Sequence, residues 1–175
     1  MTVTITIPTL ETERLILRAP RIDDAPAVTA FYASDRSKYV GGPQSAEVAW
    51  RTLAMEAGHW ALRGVGRGAI TEKGNDTALG TVGLWHPEGF PEPELGWDLY
   101  DSATGKGYAT EAGQAARAYA YDTLGWTTLI SLIIPENTAS SAVAQRLGAT
   151  HDGDFTHERY GYMHIWRHPA PEALT

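Results

Sequence analysis

The stretch "DSATGKGYATEAGQAARAYAYDTLG", residues 101–125, places two glycines directly before an alanine-rich helical pattern. The pattern predicts a helix over residues 108–124, and Gly125 stands where a left-handed C-terminal cap is expected. The first four N–H groups of a helix are unpaired and carry partial positive charge, so they attract anions. No Ser, Asp or Asn stands directly before this helix to accept from them. We therefore expect either a phosphate site at residues 105–110 or a glycine-rich turn that only ends the preceding strand.

The segments on both sides of this helix predict a sheet. The predicted strands cover residues 14–20, 68–73, 78–85, 94–100, 128–134 and 157–166. Further helices are expected at residues 23–32, 46–62 and 138–147. Antiparallel-looking strands come first, and strands and helices alternate afterwards. This order predicts an α/β fold, a mixed central sheet with helices on its faces, within a single domain of residues 1–175.

Composition excludes several classes of function. The 175 residues carry a net charge of -7, which argues against a nucleic-acid binder, because such proteins need a basic stripe. The absence of cysteine excludes thiolate metal sites and a covalent cysteine intermediate. Residues 1–8 lack a basic signal-peptide start, and no window reaches the roughly 18 apolar residues of a membrane span. We expect a cytoplasmic protein without a membrane partner.

The histidines do not predict a metal site. They stand at His59, His86, His151, His157, His164 and His168. Only His164 and His168 have the i, i+4 spacing of helical metal ligands, and they fall in a strand-like stretch where that spacing does not converge. We therefore expect no metal.

A second motif, "SLIIPENTASSAVAQRLGA" at residues 131–149, places Asn137 before a helix and Ser140 three residues later. A helix N-cap is one explanation for the asparagine, and ligand binding is the other. Together with "LETERLILRAPRIDDA" and "ELGWDLYDSATGKGYATEA", the motif resembles the GNAT acetyltransferases, and more narrowly their Rim-type branch, which acetylates protein N-termini. The resemblance spans about residues 10–150.

The resemblance implies a GNAT fold with a twisted mixed sheet of about seven strands and helices on both faces. It implies acetyl-coenzyme A as cosubstrate, lying between the splayed parallel strands at residues 94–100 and 128–134. The backbone at Trp97, Asp98 and Leu99 would pair with the pantetheine, and Asn137 and Ser140 would reach the thioester region. The pyrophosphate would meet the amides of Gly105, Lys106, Gly107, Tyr108, Ala109 and Thr110.

The chemistry requires a base, because the acceptor amine is protonated at neutral pH and must lose a proton before it attacks. Strand alternation places Glu94, Gly96 and Asp98 on one face. Glu94 is the candidate base, and the alternative is a surface or salt-bridged carboxylate. The tyrosine that some relatives use as general acid is Ala144 here, so Ser140, or water held near it, becomes the candidate acid. The main-chain N–H of Trp97 would stabilise the developing oxyanion.

The predicted helix at residues 46–62 and the loop before Glu94 supply candidate walls for the acceptor pocket. Trp60, Trp85 and His86 are candidate walls, although aromatic residues of this kind also pack in cores. We expect direct acetyl transfer in a ternary complex to a primary amine, either a protein N-terminus or a small molecule. The alternatives are a non-catalytic acyl-coenzyme A binding module and a drug or polyamine acetyltransferase. The resemblance also makes a homodimer possible.

Overall fold

The computed structural model describes residues 4–174. Residues 1–3 belong to the segment that is predicted to lack a signal peptide, and they lie outside the described residues. The strands within the described residues are β1 (Leu10–Glu11), β2 (Leu15–Arg18), β3 (Arg67–Glu72), β4 (Gly80–Trp85), β5 (Glu94–Leu99), β6 (Ile130–Ile133), β7 (Thr150–His157) and β8 (Gly161–Arg167). They form one sheet in the order β1-β2-β3-β4-β5-β6-β8-β7. All neighbouring pairs are antiparallel except β5 and β6, so the predicted mixed sheet is confirmed.

The α-helices are α1 (Ala25–Tyr32), α2 (Ala46–Arg63), α3 (Tyr108–Ala118) and α4 (Thr138–Arg146). Helix α2 begins where the Ser45 side chain accepts a hydrogen bond from the Val48 N–H at 3.3 Å. It ends at Gly64, whose φ of +72° is the left-handed conformation of a C-terminal cap. Within residues 4–174, none of the helices combines the length and the apolar character that a membrane span requires.

Helices cover both faces of the sheet. Helices α1 and α2 pack on one face, where Phe31 and Leu53 join a buried cluster with Ala69 of β3. Helix α3 packs on the opposite face, where Ala112 lies in the main core with Ile70. Ala69 and Ile70 are consecutive and face opposite sides, as the alternation of a strand requires. The predicted two-sided arrangement is therefore confirmed.

The parallel strands β5 and β6 separate almost as soon as they meet. Their ladder contains the single pair Glu94↔Ile130, whereas β4 and β5 stay paired from Gly80↔Leu99 to Trp85↔Glu94. On its other side, β6 pairs with β8 along its whole length. The sheet thus opens into a gap between β5 and β6 while both strands stay anchored on their outer sides.

Two predictions of secondary structure are wrong in detail. The strand expected at residues 157–166 is β8, which begins only at Gly161, and the sequence does not predict β1 or β7, so the sheet has eight strands within the described residues rather than about seven. Most of β7 is exposed and polar, which removes the apolar alternation that identifies a strand. The helix expected to reach residue 124 ends as α3 at Ala118 and continues as a π-helical turn, Tyr119–Thr123, in which the Leu124 N–H donates to the Tyr119 carbonyl at 3.2 Å.

Candidate active site

A cleft of about 420 Å³ lies where β5 and β6 part. Its walls come from both separating strands, from α1 and α2, and from the turn between β7 and β8. Glu94 and Trp97 of β5 line it together with Asn137 and Ser140 at the start of α4. The structure therefore brings together in one cavity residues that are widely separated in the sequence.

Two side chains bridge the gap where the ladder ends. Glu94 Oε1 accepts a hydrogen bond from the Leu132 N–H of β6 at 3.0 Å. The Ser131 hydroxyl donates to the Leu95 carbonyl of β5 at 2.6 Å. In a continuous ladder main-chain groups would make these bonds, so both side chains replace backbone partners that the separation has removed.

Beyond this bridge the main chain of β5 faces the gap at alternate residues. The Leu95 carbonyl points towards β6, and strand alternation directs the N–H and C=O groups of Trp97 and Leu99 the same way. The Leu99 carbonyl accepts from Arg36 Nη2 at 3.2 Å instead of from a strand. The Asp98 carbonyl lies against Gly80 of β4, so its main chain faces away from the gap. Of the three residues predicted to offer backbone to a ligand, Trp97 and Leu99 are directed towards the gap and Asp98 is not.

The Glu94 carboxyl group has an unusual affinity for protons. Burial raises its pKa to about 7, although the hydrogen bond from the Leu132 N–H acts in the opposite direction. A carboxyl group with that pKa changes its charge near neutral pH, as a general base must. Glu94 makes no salt bridge within the described residues and is partly exposed at the cleft, so its role as base stays a prediction.

A buried ion cluster, which sequence reasoning missed, lies beside Glu94. Arg67 of β3 donates to Asp98 Oδ2 at 2.9 Å and to Glu56 Oε1 of α2 at 2.9 Å through its Nε. The Arg67 guanidinium also lies 5.2 Å from the centre of the Trp85 ring. Burial raises the pKa of Glu56, and Glu56 Oε2 has no hydrogen-bond partner within the described residues. The available signal was a charged residue between Gly66 and Gly68 in a strand that is otherwise buried.

Helix α3 begins without an internal cap, as the sequence predicts. Gly107 is the N-cap residue with a φ of +80°, and because glycine has no side chain it makes no capping hydrogen bond to the helix. Gly105 also has a positive φ, +75°, so both glycines adopt a conformation that other residues avoid. Within residues 4–174, no carbonyl or side chain accepts from the amides of residues 107–110.

Two cations flank this helix start. The Arg14 guanidinium lies 4.8 Å from the centre of the Tyr108 ring and pairs with Glu111 at 2.6 Å. Lys106 Nζ lies 5.6 Å from the same ring and 3.8 Å from a carboxylate oxygen of Glu72. Free amides, a helix dipole and neighbouring cations suit a phosphate-bearing ligand. The side-chain hydroxyl of Thr110 does not contribute an open group, because it is buried without a partner.

The start of α4 accounts for Asn137 and Ser140. Asn137 Oδ1 accepts the Ser140 N–H at 3.2 Å, so the N-cap interpretation is confirmed and the amide nitrogen of Asn137 is left for another partner. The Trp97 indole N–H donates to Ser140 Oγ at 3.3 Å. Because the hydroxyl accepts that bond, its own hydrogen stays available to a further acceptor. Ala144 is fully buried against Ile133, and it offers no polar group.

The predicted acceptor walls are only partly assembled. Trp85 lines the cleft, and Trp60 and His86 do not. The Trp60 indole donates to the Arg67 carbonyl at 3.0 Å and lies against Gly66. The His86 N–H donates to the His59 imidazole at 3.1 Å, and burial lowers the pKa of that imidazole.

Residues that the sequence did not single out also line the cleft. They are Tyr32 of α1, Met163 of β8, and Arg159 and Tyr160 in the β7–β8 turn. Only the fold brings Tyr32 into the same cleft as the other three residues, because α1 and the β7–β8 hairpin lie far apart along the chain.

A mixed sheet that splays beside an uncapped helix start defines a class, the acyl-coenzyme A dependent acyltransferases. The Acetyltransferase (GNAT) domain family matches residues 14–150, and the chain belongs to this family. The chain is accordingly an acetyl-coenzyme A dependent N-acetyltransferase.

Individual relatives agree with this assignment. The uncharacterized N-acetyltransferase YoaA of Bacillus subtilis is 26% identical over 83% of this chain and 85% of its own length. The crystal structure of an acetyltransferase from Agrobacterium tumefaciens is 38% identical, with a TM-score of 0.85 over 96% of this chain and 98% of that one. RimL, an acetyltransferase of a ribosomal protein solved in complex with coenzyme A, is 18% identical with a TM-score of 0.73 over 93% and 98% of the two chains. The likeness to RimL shows the shared fold.

Proposed function

We propose that this N-acetyltransferase transfers the acetyl group of acetyl-coenzyme A directly to a primary amine, with Glu94 as general base and Ser140 as general acid. The observation that carries the proposal is the position of Glu94, whose carboxyl group has a pKa of about 7 and lines the cleft where the two strands part. No cysteine is present to carry the acetyl group between two half-reactions. Attack of the amine within a ternary complex follows.

The residues around the gap fit acetyl-coenzyme A. The free amides from Gly107 to Thr110 would hold its pyrophosphate, with Gly105 and Lys106 in the same turn. The backbone of Trp97 and Leu99 would pair with the pantetheine amides along the gap, and the Asn137 amide nitrogen would donate to the same region. When bound, acetyl-coenzyme A supplies an activated acetyl thioester.

The protein's own groups divide the work of proton transfer. Glu94 would take the proton of the acceptor ammonium, directly or through one water molecule, because its carboxylate is close to half ionised at neutral pH. The Trp97 N–H, which is directed into the gap, would stabilise negative charge on the acetyl oxygen. Ser140, or a water molecule held near it, would pass a proton to the departing sulfur, and the Ser140 hydroxyl would regain its proton from water while it accepts from the Trp97 indole.

Charges in the cleft favour an acceptor that combines an amine with an anionic group. The inner wall carries Asp98 paired with Arg67, and Glu94, which makes no ion pair within residues 4–174, so the Glu94 carboxylate suits an ammonium ion. The exposed arginines Arg51 and Arg159 also line the cleft and would attract a carboxylate. A peptide N-terminus with an acidic side chain, or a small amino acid, fits this pattern better than a polyamine. The fold shared with RimL supports a Rim-type acceptor, and the cytoplasmic location and the homodimer stay predictions.

The test separates binding from turnover. Calorimetry with acetyl-coenzyme A is expected to show saturable binding, and release of free thiol is expected with at least one acceptor in a panel of N-terminal peptides, amino acids and polyamines. Acidic peptides should give a higher kcat/KM than polyamines, because of Arg51 and Arg159. Binding without thiol release on any acceptor would instead support the non-catalytic module. Faster turnover of polyamines would refute the acceptor class and leave acetyl transfer intact.

A further inference from the structure

Three potential metal ligands meet on the outer hairpin of the sheet, outside the cleft. The nitrogen and oxygen ligand atoms of His151, Asp154 and His164 all lie within 4.8 Å of one another. His151 Nε2 is 3.1 Å from Asp154 Oδ1, and His164 Nε2 is 3.9 Å from the same oxygen. The centres of the two imidazole rings are 4.6 Å apart. The carboxylate therefore stands between two imidazoles at the surface.

A β-bulge creates this arrangement. His151 pairs with Trp166 and Asp154 pairs with His164, with a register shift between the two pairs. Trp166 and His164 are two residues apart on β8 and so share one face, whereas His151 and Asp154 are three residues apart on β7. The extra residue returns Asp154 to the face of His151. Gly153, with a φ of +109°, supplies the backbone conformation that the bulge needs.

We propose that His151, Asp154 and His164 form a binding site for a divalent transition-metal ion of the Zn²⁺ type. Two imidazole nitrogens and one carboxylate oxygen are ligands that such ions prefer, and water would complete a tetrahedral set. Ligands about 2.1 Å from a tetrahedral ion lie roughly 3.4 Å apart. The two measured separations bracket this value. Both His151 and Asp154 are exposed, so small side-chain rotations can close the remaining distance.

Neighbouring groups keep the carboxylate ready for a cation. The Tyr162 hydroxyl hydrogen-bonds to Asp154 and would orient it, which is the usual role of a group one step behind a metal ligand. The adjacent acid, Asp152, is already paired with Arg167 at 2.5 Å and does not compete for the ion.

This proposal departs from the expectation of no metal, and the i, i+4 pair His164 and His168 does not correspond to the cluster. His168 is buried, with its Nε2 2.9 Å from the Ser131 hydroxyl, and burial lowers its pKa to about 3. It takes no part in the surface cluster. The partners of His164 lie across the hairpin, where the separation along the chain gives no indication of proximity. An ion here would join β7 to β8 and steady the hairpin whose turn carries Arg159 and Tyr160 into the cleft.

The test is calorimetric titration of untagged, EDTA-treated full-length protein with ZnCl₂. One ion is expected to bind per chain with micromolar or tighter affinity, and the melting temperature should rise on its addition. Asp154→Asn and His164→Ala should each weaken binding at least tenfold, and Tyr162→Phe should weaken it to a smaller extent.

The matched control is His86→Ala, which removes a histidine remote from the cluster and should bind Zn²⁺ like the wild type. Circular dichroism would establish that every variant is folded. In a parallel titration with Co²⁺, the absorption spectrum of bound ion should disappear in His164→Ala. Unchanged Zn²⁺ affinity in Asp154→Asn and His164→Ala, or no saturable binding to the wild type, would overturn the proposal.

Discussion

At neutral pH the Glu94 carboxyl group is divided about evenly between its ionised and protonated forms, because burial raises its pKa to about 7. From pH 6 to pH 8 its ionised fraction rises from roughly one tenth to roughly nine tenths, a factor of about 10. A carboxyl group with an ordinary pKa changes its ionised fraction by only about 3% over that range. If Glu94 is the base, kcat should therefore rise about tenfold over this interval through its titration alone.

Replacing Glu94 with glutamine removes the titrating carboxyl group and keeps the shape of the side chain. The glutamine carbonyl can still accept from the Leu132 N–H, so the bridge between β5 and β6 should survive. We expect kcat at pH 8 to fall by about 10² to 10³, within the usual range for loss of a general base. The assay is thiol release at saturating concentrations of both substrates, with both enzymes measured at each pH. The ratio of the wild-type rate to the Glu94→Gln rate cancels the titration of the acceptor amine and should rise about tenfold from pH 6 to pH 8.

The matched control is Glu88→Gln, which changes an exposed carboxylate that does not line the cleft and pairs with Arg63 at 3.0 Å. Its pH profile should match that of the wild type. A ratio of wild-type to Glu94→Gln rates that stays constant between pH 6 and pH 8 would remove Glu94 from the role of base. A Glu94→Gln enzyme with full activity would do the same.

Three further predictions concern the acid, the cofactor site and the ion cluster. Ser140→Ala should lower kcat by about 100-fold with little change in the affinity for acetyl-coenzyme A, because the proton donor is lost while the main-chain N–H that Asn137 caps remains. Steady-state kinetics and calorimetry measure the two quantities. Gly107→Ala should weaken acetyl-coenzyme A binding roughly tenfold in calorimetry. A φ of +80° costs alanine about 1–2 kcal/mol, and a backbone that relaxes to relieve this strain would turn the helix amides away from the ligand. Arg67→Met should lower the free energy of unfolding by about 3–5 kcal/mol in urea titrations, because it leaves the buried carboxylates of Glu56 and Asp98 unpaired. This loss should be smaller at pH 5 than at pH 8, because protonation removes unpaired charge.

Each of these variants has a control elsewhere in the chain. Ser141→Ala removes the adjacent hydroxyl and should keep kcat, so equal losses in both serine variants would contradict the role of Ser140. Gly125→Ala introduces similar strain, at a φ of +70°, far from the proposed phosphate site, and it should leave the affinity for acetyl-coenzyme A unchanged. Arg63→Met breaks an exposed ion pair and should cost less than about 1 kcal/mol. An Arg67→Met loss of the same size would refute the buried-cluster argument.

The parts of the fold that the sequence predicts are those governed by local rules. Glycine at positions 105 and 107 reports a backbone conformation that other residues avoid, so the start of α3 is visible in the residues themselves. Asn137 is similar, because a cap acts over three residues and can be read as a short motif. The alternation of β5 likewise separates Glu94 and Asp98 from Leu95, which lies in the core behind α3.

The parts that the sequence does not predict depend on tertiary contacts. Arg67 is a single charged residue in a strand until α2 and β5 bring Glu56 and Asp98 to it. Trp60 is an aromatic residue of the kind that often lines pockets, but its position on α2 directs the indole towards the Arg67 carbonyl instead. Strand β7 escapes detection because an exposed edge strand needs no apolar alternation. In each case the partner that decides the role is distant in the chain.

The separation of β5 and β6 links the architecture of the sheet to the proposed chemistry. Where the ladder ends, the Leu132 N–H loses its main-chain acceptor, and the Glu94 carboxylate takes that place at 3.0 Å. This bond fixes the carboxylate at the inner end of the gap, where burial opposes its ionisation more strongly than the single N–H favours it, so the pKa is raised. A carboxyl group that titrates near neutral pH thus follows from where the ladder stops. Extending the parallel pairing by one residue would close the gap and give Leu132 a backbone partner, and it would leave Glu94 without the bond that positions it.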